Sequence, residues 1–133
     1  MLNAFIVEDD ASDLRQAKSV LKDLGLGKIE TTTNVAGAVR YLDEVTEGKR
    51  EAPALLLLDL SLGYESGFEV LRRWKGDPGL KDLKIIVWTQ MGDREQELCR
   101  LFGLQHVIPK WSSIKDLQNA IKAALKLPLH PSQ

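Results

Sequence analysis

Five short apolar runs alternate along the chain with five amphipathic stretches. The runs are AFIV (4–7), a weaker one around KIETT (28–32), ALLLL (54–58), KIIVW (84–88) and HVI (106–108). Most are continuous rather than alternating, as expected of parallel strands covered on both faces. Between them, apolar residues recur at helical spacing: Leu14, Ala17, Leu21 and Leu24, then Val35, Ala38, Leu42 and Val45, then Val70, Leu71 and Trp74. Leu98, Leu101 and Phe102 mark a shorter fourth helix, and Ile114, Leu117, Ile121, Ala124 and Leu125 mark the last. Breakers fall between these elements: GLG at 25–27, DPG at 77–79, and Gly103. Strand and helix repeated five times predicts an α/β fold, a five-stranded parallel sheet doubly wound as (βα)5, with right-handed crossovers and helices on both faces. The domain is expected over 1–127, with PLHPSQ (128–133) as a short C-terminal tail, and EGKREAP (47–53) reads as a polar loop rather than a domain boundary.

One stretch breaks the apolar logic. Leu55, Leu56, Leu57 and Leu58 run straight into Asp59, and a carboxylic acid is costly to bury unless it is paired or bound to a cation. In an open parallel sheet, function gathers at the carboxyl ends of the strands, where strand order reverses. The first strand is followed by Glu8, Asp9 and Asp10, the third by Asp59, the fourth by Thr89 and the fifth by Lys110. Each has an ordinary explanation on its own. EDDASD suits a helix N-terminus, with Asp10 as cap and Asp13 in the first turn. Asp59 alone could start a turn, Thr89 is unremarkable at a strand end, and Lys110 alone reads as solvated surface. The combination at four strand ends is what carries weight. If the first and third strands are neighbours, Glu8, Asp9 and Asp59 converge, and such carboxylates need raised pKa values or a cation. Mg²⁺ with oxygen ligands and waters fits an open acidic edge. An ion there would make Asp59 a usable nucleophile toward phosphorus, with Thr89 donating to a phosphoryl oxygen and Lys110 offsetting its charge.

Charge and composition narrow the partners. The chain carries 18 Lys and Arg against 19 Asp and Glu, a net charge of -1, where a phosphate-tracking nucleic-acid binder would be more basic. No apolar run approaches the roughly 20 residues needed to span a bilayer, and MLNAFIVEDD lacks the basic start of a signal peptide. A single cysteine, Cys99, excludes an internal disulfide and fits a reducing compartment. The expectation is a cytoplasmic domain with no nucleic-acid or membrane partner.

At this point the sequence resembles the response-regulator receiver domains of two-component signalling, from about Leu2 to Leu127. FIVEDDASDLR resembles the family's first strand and acidic pair, LLLLDLSLGYESGFEVLRRWK its acceptor segment, IIVWT its switch-hydroxyl strand and HVIPKW its lysine segment. The resemblance implies a flavodoxin-like receiver fold and phosphorylation of Asp59 by a histidine kinase or histidine phosphotransfer protein. It places Glu8, Asp9, Asp59 and the backbone carbonyl of Ser61 on Mg²⁺, and Thr89 and Lys110 on the phosphoryl group. Gly67 falls at the family's usual glycine. With no output domain in the sequence read, the effect would be exerted through a partner protein.

The chain also departs from the family pattern. Val107 stands where an aromatic switch residue is common, and Pro109 precedes Lys110 while Trp111 follows it, so the usual cis peptide after the lysine is not expected. Gln90 and Met91 flank the switch hydroxyl where access of water and phosphodonor is modulated; both are bulkier or less polar than the position favours. A phosphorylation-independent interaction module is therefore an alternative reading. A phosphatase of the haloacid-dehalogenase type would need a second Asp where Ser61 stands. A flavodoxin-like cofactor binder would not place EDDASD at its anion loop. Cys99 reads as packing, His106 as surface or half-buried, Trp74 and Trp88 as core, Trp111 as exposed, and Lys115, Lys122 and Lys126 as a solvated face.

Overall fold

A computed structural model describes residues 2–90 and 92–127. Its main sheet has five parallel strands. In chain order, β1 (Asn3–Val7) leads to α1 (Ala11–Asp23), β2 (Lys28–Thr32) to α2 (Val35–Thr46), and β3 (Leu55–Leu58) to a small hairpin of β4 (Ser61–Leu62) and β5 (Glu65–Ser66). Then come α3 (Phe68–Lys75), a single 3-10 turn (Pro78–Leu80), β6 (Lys84–Thr89), α4 (Asp93–Leu101), β7 (Val107–Pro109) and α5 (Ile114–Leu125). The sheet order is β2-β1-β3-β6-β7. The chain winds outward from β1 to one edge and from β3 to the other, so the order reverses between β1 and β3.

The four leucines of β3 are all buried and divide by parity. Leu55 and Leu57 join Ala4, Ile6, Ile86 and Trp88 beneath α1 and α5, against Ala17, Leu21, Leu117 and Ile121. Leu56 and Leu58 join Phe5, Val7, Ile85 and Val87 beneath α2, α3 and α4, against Ala38, Leu42, Leu71 and Cys99. A central strand covered on both faces has no polar side to alternate with. Each such leucine is worth roughly 1.5–3 kcal/mol of burial.

Helix ends follow local chemistry. Asp10, Asn34 and Ser113 cap α1, α2 and α5 by accepting from the backbone N–H three residues on. The expected elements are present, with two differences. Leu101 is exposed, and the residue of α4 that enters the core is Cys99. The α4 segment is the most polar helix among the described residues; Cys99 packs in the core as its sequence reading expected, with Phe102 half-buried beside it, and only Leu101 turns to solvent. The hairpin β4–β5 follows Asp59, where the apolar pattern gave no strand. It closes through Gly63 at φ +67°, a conformation that glycine adopts without a Cβ clash. Trp111 is exposed, Trp88 buried, and Trp74 and His106 half-buried. The tail 128–133 lies outside the described residues.

Candidate functional site

Register brings the strand ends together. Val7 pairs with Leu58, and Leu58 with Val87, so Glu8 and Asp59 emerge side by side at the carboxyl edge. The Asp59 N–H donates to Val7 O at 3.0 Å, fixing the point where the leucine strand stops. Thr89 pairs with Pro109, and the Lys110 N–H donates to Thr89 O at 2.8 Å, which aims Lys110 back across the sheet. Four strand ends thus converge on one pocket.

Within it, Glu8, Asp59 and Thr89 are only 1%, 5% and 0% exposed, the only polar or charged residues buried to this degree among those described. Both oxygens of Asp59 are engaged. Oδ1 accepts from the Thr89 hydroxyl at 2.5 Å and from the Ser61 N–H at 3.0 Å, and Oδ2 accepts from Lys110 Nζ at 2.9 Å. The Thr89 Oγ1 in turn accepts from the Leu60 N–H at 3.3 Å. Gly67 lets the chain pass close behind Asp59: a Cβ there would stand 2.4 Å from Asp59 O and 2.8 Å from Leu60 Cα. That contact explains why a glycine, and no other residue, fits behind Asp59.

Lys110 is the electrostatic hub. Its ammonium lies 2.9 Å from Asp59 Oδ2, 2.8 Å from Glu8 Oε1 and 2.5 Å from Asp13 Oδ2, with the Trp88 ring centroid 5.1 Å away. Burial lowers the Lys110 pKa, but the contacts to Asp13, Glu8 and Asp59 outweigh it, so the ammonium is held charged above its ordinary range. Glu8 moves the other way for a carboxylate. Burial pushes its pKa up to about 8; the Lys110 contact opposes this and the neighbouring Asp59 charge adds to it.

One carboxylate oxygen of Glu8, Asp9 and Asp59 each lies within 4.8 Å of the others. Glu8 Oε1 is buried and has no hydrogen-bond partner, although the ammonium is near. A hard divalent ion with oxygen ligands fits this donor set: Asp9 is exposed and leaves room for waters, while Glu8 offers an unsatisfied lone pair. Ser61 sits at the start of the hairpin beside Asp59, with its N–H already bonded to the carboxylate.

The residues singled out in the sequence are therefore gathered at one edge, apart from two. Gln90 is exposed and borders an open groove of about 430 Å³ beside Thr89 and Ser61. Met91 lies outside the described residues. The contact of Asp13 with Lys110 was missed, because its place in the first turn already had a sufficient explanation as a helix-dipole partner. No peptide bond among the described residues is cis.

The chain matches the response regulator receiver domain over residues 4–122. It belongs to that family. It is 31% identical over 117 residues to the response regulator Rcp1 of Synechocystis sp., covering 84% of this chain and 78% of that protein. It is 25% identical over 124 residues to the polar-differentiation response regulator DivK of Brucella ovis, covering 92% and 95%. The chemotaxis protein CheV1 of Helicobacter pylori is 26% identical over 123 residues, which is 92% of this chain but 37% of that protein. Among solved structures, the phosphorylated cyanobacterial phytochrome response regulator RcpA is 26% identical with a TM-score of 0.75, covering 92% of this chain and 89% of that one. The receiver domain of a signal transduction histidine kinase from Syntrophus aciditrophicus is 25% identical with a TM-score of 0.80, covering 95% and 91%. The receiver is a signalling module rather than an enzyme, which sets aside the phosphatase reading. No helix among the described residues is long and apolar enough to cross a membrane.

Proposed function

We propose that this receiver takes a phosphoryl group onto Asp59 from a histidine kinase or histidine phosphotransfer protein in the cytoplasm, and that the modification changes its binding to an output protein. The observation that supports this best is the placement of Asp59. It is a buried carboxylate whose two oxygens face a hydroxyl, a backbone N–H and an ammonium, beside two further acids. In the transfer, an Asp59 oxygen forms the new O–P bond while the P–N bond of the donor phosphohistidine breaks. The imidazole nitrogen keeps the electron pair and takes up a proton. Mg²⁺ held by Glu8, Asp9, Asp59 and the Ser61 carbonyl would supply neutralisation of the phosphoryl charge. Thr89 must release Asp59 Oδ1 to donate to a phosphoryl oxygen, and Lys110, already at Oδ2, is positioned to pair with another. Removing the Thr89 hydroxyl from its bond to Asp59 also releases the Leu60 N–H contact, which gives the change a route into the hairpin and the start of α3.

Incubation with acetyl phosphate and Mg²⁺, read by intact mass, is expected to add one phosphoryl group to the wild type and none to Asp59→Ala. Equal incorporation by the variant would reject Asp59 as the acceptor. A folded wild type that accepts no phosphoryl group from acetyl phosphate or a phosphotransfer protein, and shows no spectral shift with beryllofluoride, would favour the phosphorylation-independent module instead. The second reading rests on Gln90 and Val107, where the chain departs from the family pattern.

A further inference from the structure

A cavity of about 220 Å³ opens where the segments leading into β6 and β7 meet the ends of α3 and α5. It lies at the other edge of the sheet from Asp59. Strand β6 begins at this cavity with Lys84 and ends at the acceptor pocket with Thr89, roughly 17 Å away along an extended strand. Trp74, Leu83 and Leu104 give the cavity apolar walls. The Trp74 Nε1–H donates to Leu80 O at 3.1 Å, which fixes that ring in place. The titratable lining is one-sided: Lys81, Lys84, Lys126 and His106, with no aspartate or glutamate, in a chain whose net charge is -1. Among the described residues the lysines that pair with carboxylates are Lys28, Lys49 and Lys110, and none of these lines the cavity.

The backbone gives a second, independent sign. After α1, α2 and α4 the chain turns through a left-handed residue, and each time it is a glycine: Gly25 at φ +90°, Gly48 at +76° and Gly103 at +73°. Helix α5 ends in the same way, but the left-handed residue is Lys126, at φ +56°. The Leu127 N–H closes this turn on Lys122 O at 2.8 Å, the helix ending in which glycine is the default because an L side chain crowds its own backbone. Offsetting the helix dipole does not call for a lysine there, since Lys122 already stands in the last turn of α5. Lys84, for its part, opens a strand and serves no helix. The strained position does set Lys126 on the cavity wall.

We infer that this cavity binds a small soluble phosphate monoester, with Lys81, Lys84, Lys126 and His106 around the phosphate and Trp74 against the organic part. Ammonium groups act as point charges that a multiply charged, tetrahedral anion meets from several sides, without the two-pronged geometry by which arginine grips a carboxylate. The volume falls below the roughly 300–1,000 Å³ of pockets for drug-sized ligands, which suits one phosphate on a body of a few carbons or a single ring.

The probe is phenyl phosphate, titrated in a chelator so that no metal draws it to the acidic pocket, and followed by calorimetry and backbone amide NMR shifts. Saturable binding is expected, with shifts concentrated at residues 81–85, 103–106 and 123–126. Lys84→Gln should weaken it about fivefold or more, the scale of one exposed ion pair. Lys126→Gly should lose affinity to a similar extent while its melting temperature stays level or rises, because glycine relieves the left-handed turn. A purely structural lysine would give the reverse, a change in stability with affinity intact. Lys122→Gln, off the cavity, should bind like wild type. Absence of saturable binding, wild-type affinity in Lys84→Gln or Lys126→Gly, or shifts centred on Asp59 would overturn the site. Retention on phosphatidylcholine vesicles carrying phosphatidic acid, without binding of phenyl phosphate, would overturn the soluble ligand in favour of a lipid headgroup.

Discussion

At the scale of the residue, the site is an arrangement of charges whose sum depends on pH. Glu8 has its pKa raised from 4.5 to about 8, chiefly by burial. Between those two values the unfolded chain has given up the proton and the folded one still holds it. The metal-free protein therefore loses stability as pH rises through that window. Glu8→Gln removes the linkage, so it should stabilise the metal-free protein more at pH 8 than at pH 5, by on the order of a few kcal/mol, because most of that pH interval lies inside the window and each unit is worth about 1.4 kcal/mol. Urea unfolding in a chelator at the two pH values checks this, and an equal effect at both would show that Glu8 does not titrate abnormally. Lys110 gives a dependence of the same sign in a higher window: its raised pKa gives stability that is complete below its ordinary 10.5 and lost only as pH climbs beyond it. Gln90, exposed at the rim beside Thr89, is expected to restrict access to Asp59. Gln90→Ala should speed phosphoryl gain or loss threefold or more, about 0.7 kcal/mol of barrier; time courses with acetyl phosphate would reveal it. The individual acids were visible in the sequence. Their partners were not, because Asp13 and Lys110 are joined only once α1 and the end of β7 are packed on the same sheet edge.

At the scale of the element, the segment after β3 shows how local chemistry and tertiary contact share the work. The leucine run announces a strand buried on both faces, and Gly67 announces a close approach, but the hairpin between them has only two residues on each side and no apolar alternation. Its second strand is tied down from outside: Glu65 Oε1 accepts from the Val35 N–H at 3.1 Å, at the start of α2. A sequence pattern cannot register a cap supplied from 30 residues away. Gly67→Ala should be one of the more damaging single changes at the site, since its Cβ would press on the backbone of Asp59 and Leu60. A loss of roughly 2 kcal/mol is expected, toward the upper part of the usual range. The acceptor should be displaced enough to slow phosphorylation even in the molecules that stay folded, and both are measurable, by denaturant midpoint and by rate. In α4 the helix was legible from Leu98, Leu101 and Phe102 and Cys99 read as packing, yet the outward turn of Leu101 was not legible. Leu101 points to solvent and Cys99 takes the core position, where burial also pushes its thiol up to about 11 and leaves it unreactive.

At the scale of the whole molecule, the sheet order is what turns scattered residues into a site. Because β1 and β3 are neighbours, Glu8, Asp9 and Asp59 meet, and because β6 and β7 follow on the far side, Thr89 and Lys110 close over them. Asp9 is the exposed member of the acidic trio, so Asp9→Asn should lower Mg²⁺ affinity about tenfold while leaving the melting temperature of the metal-free protein nearly unchanged. Calorimetric titration alongside a thermal scan tests both halves, and undiminished binding would remove Asp9 from the ligand set. The sequence by itself determined the order of the five main strands and helices, the doubly wound class and the leucine strand that ends at Asp59, since hydrophobic period and breakers are local properties that a parallel sheet must satisfy on both faces. It also determined which residues stand at the carboxyl ends of the strands, because a functional residue there follows directly on the last buried one. Only the tertiary structure decided how the charges are shared: that Lys110 bonds to Asp59 and Asp13 while leaving Glu8 Oε1 unpartnered, that Thr89 holds Asp59 in place, and that a hairpin clipped to α2 follows the acceptor. Those choices depend on distances between residues far apart in the chain, set by strand register and helix packing, and a linear pattern carries no record of them.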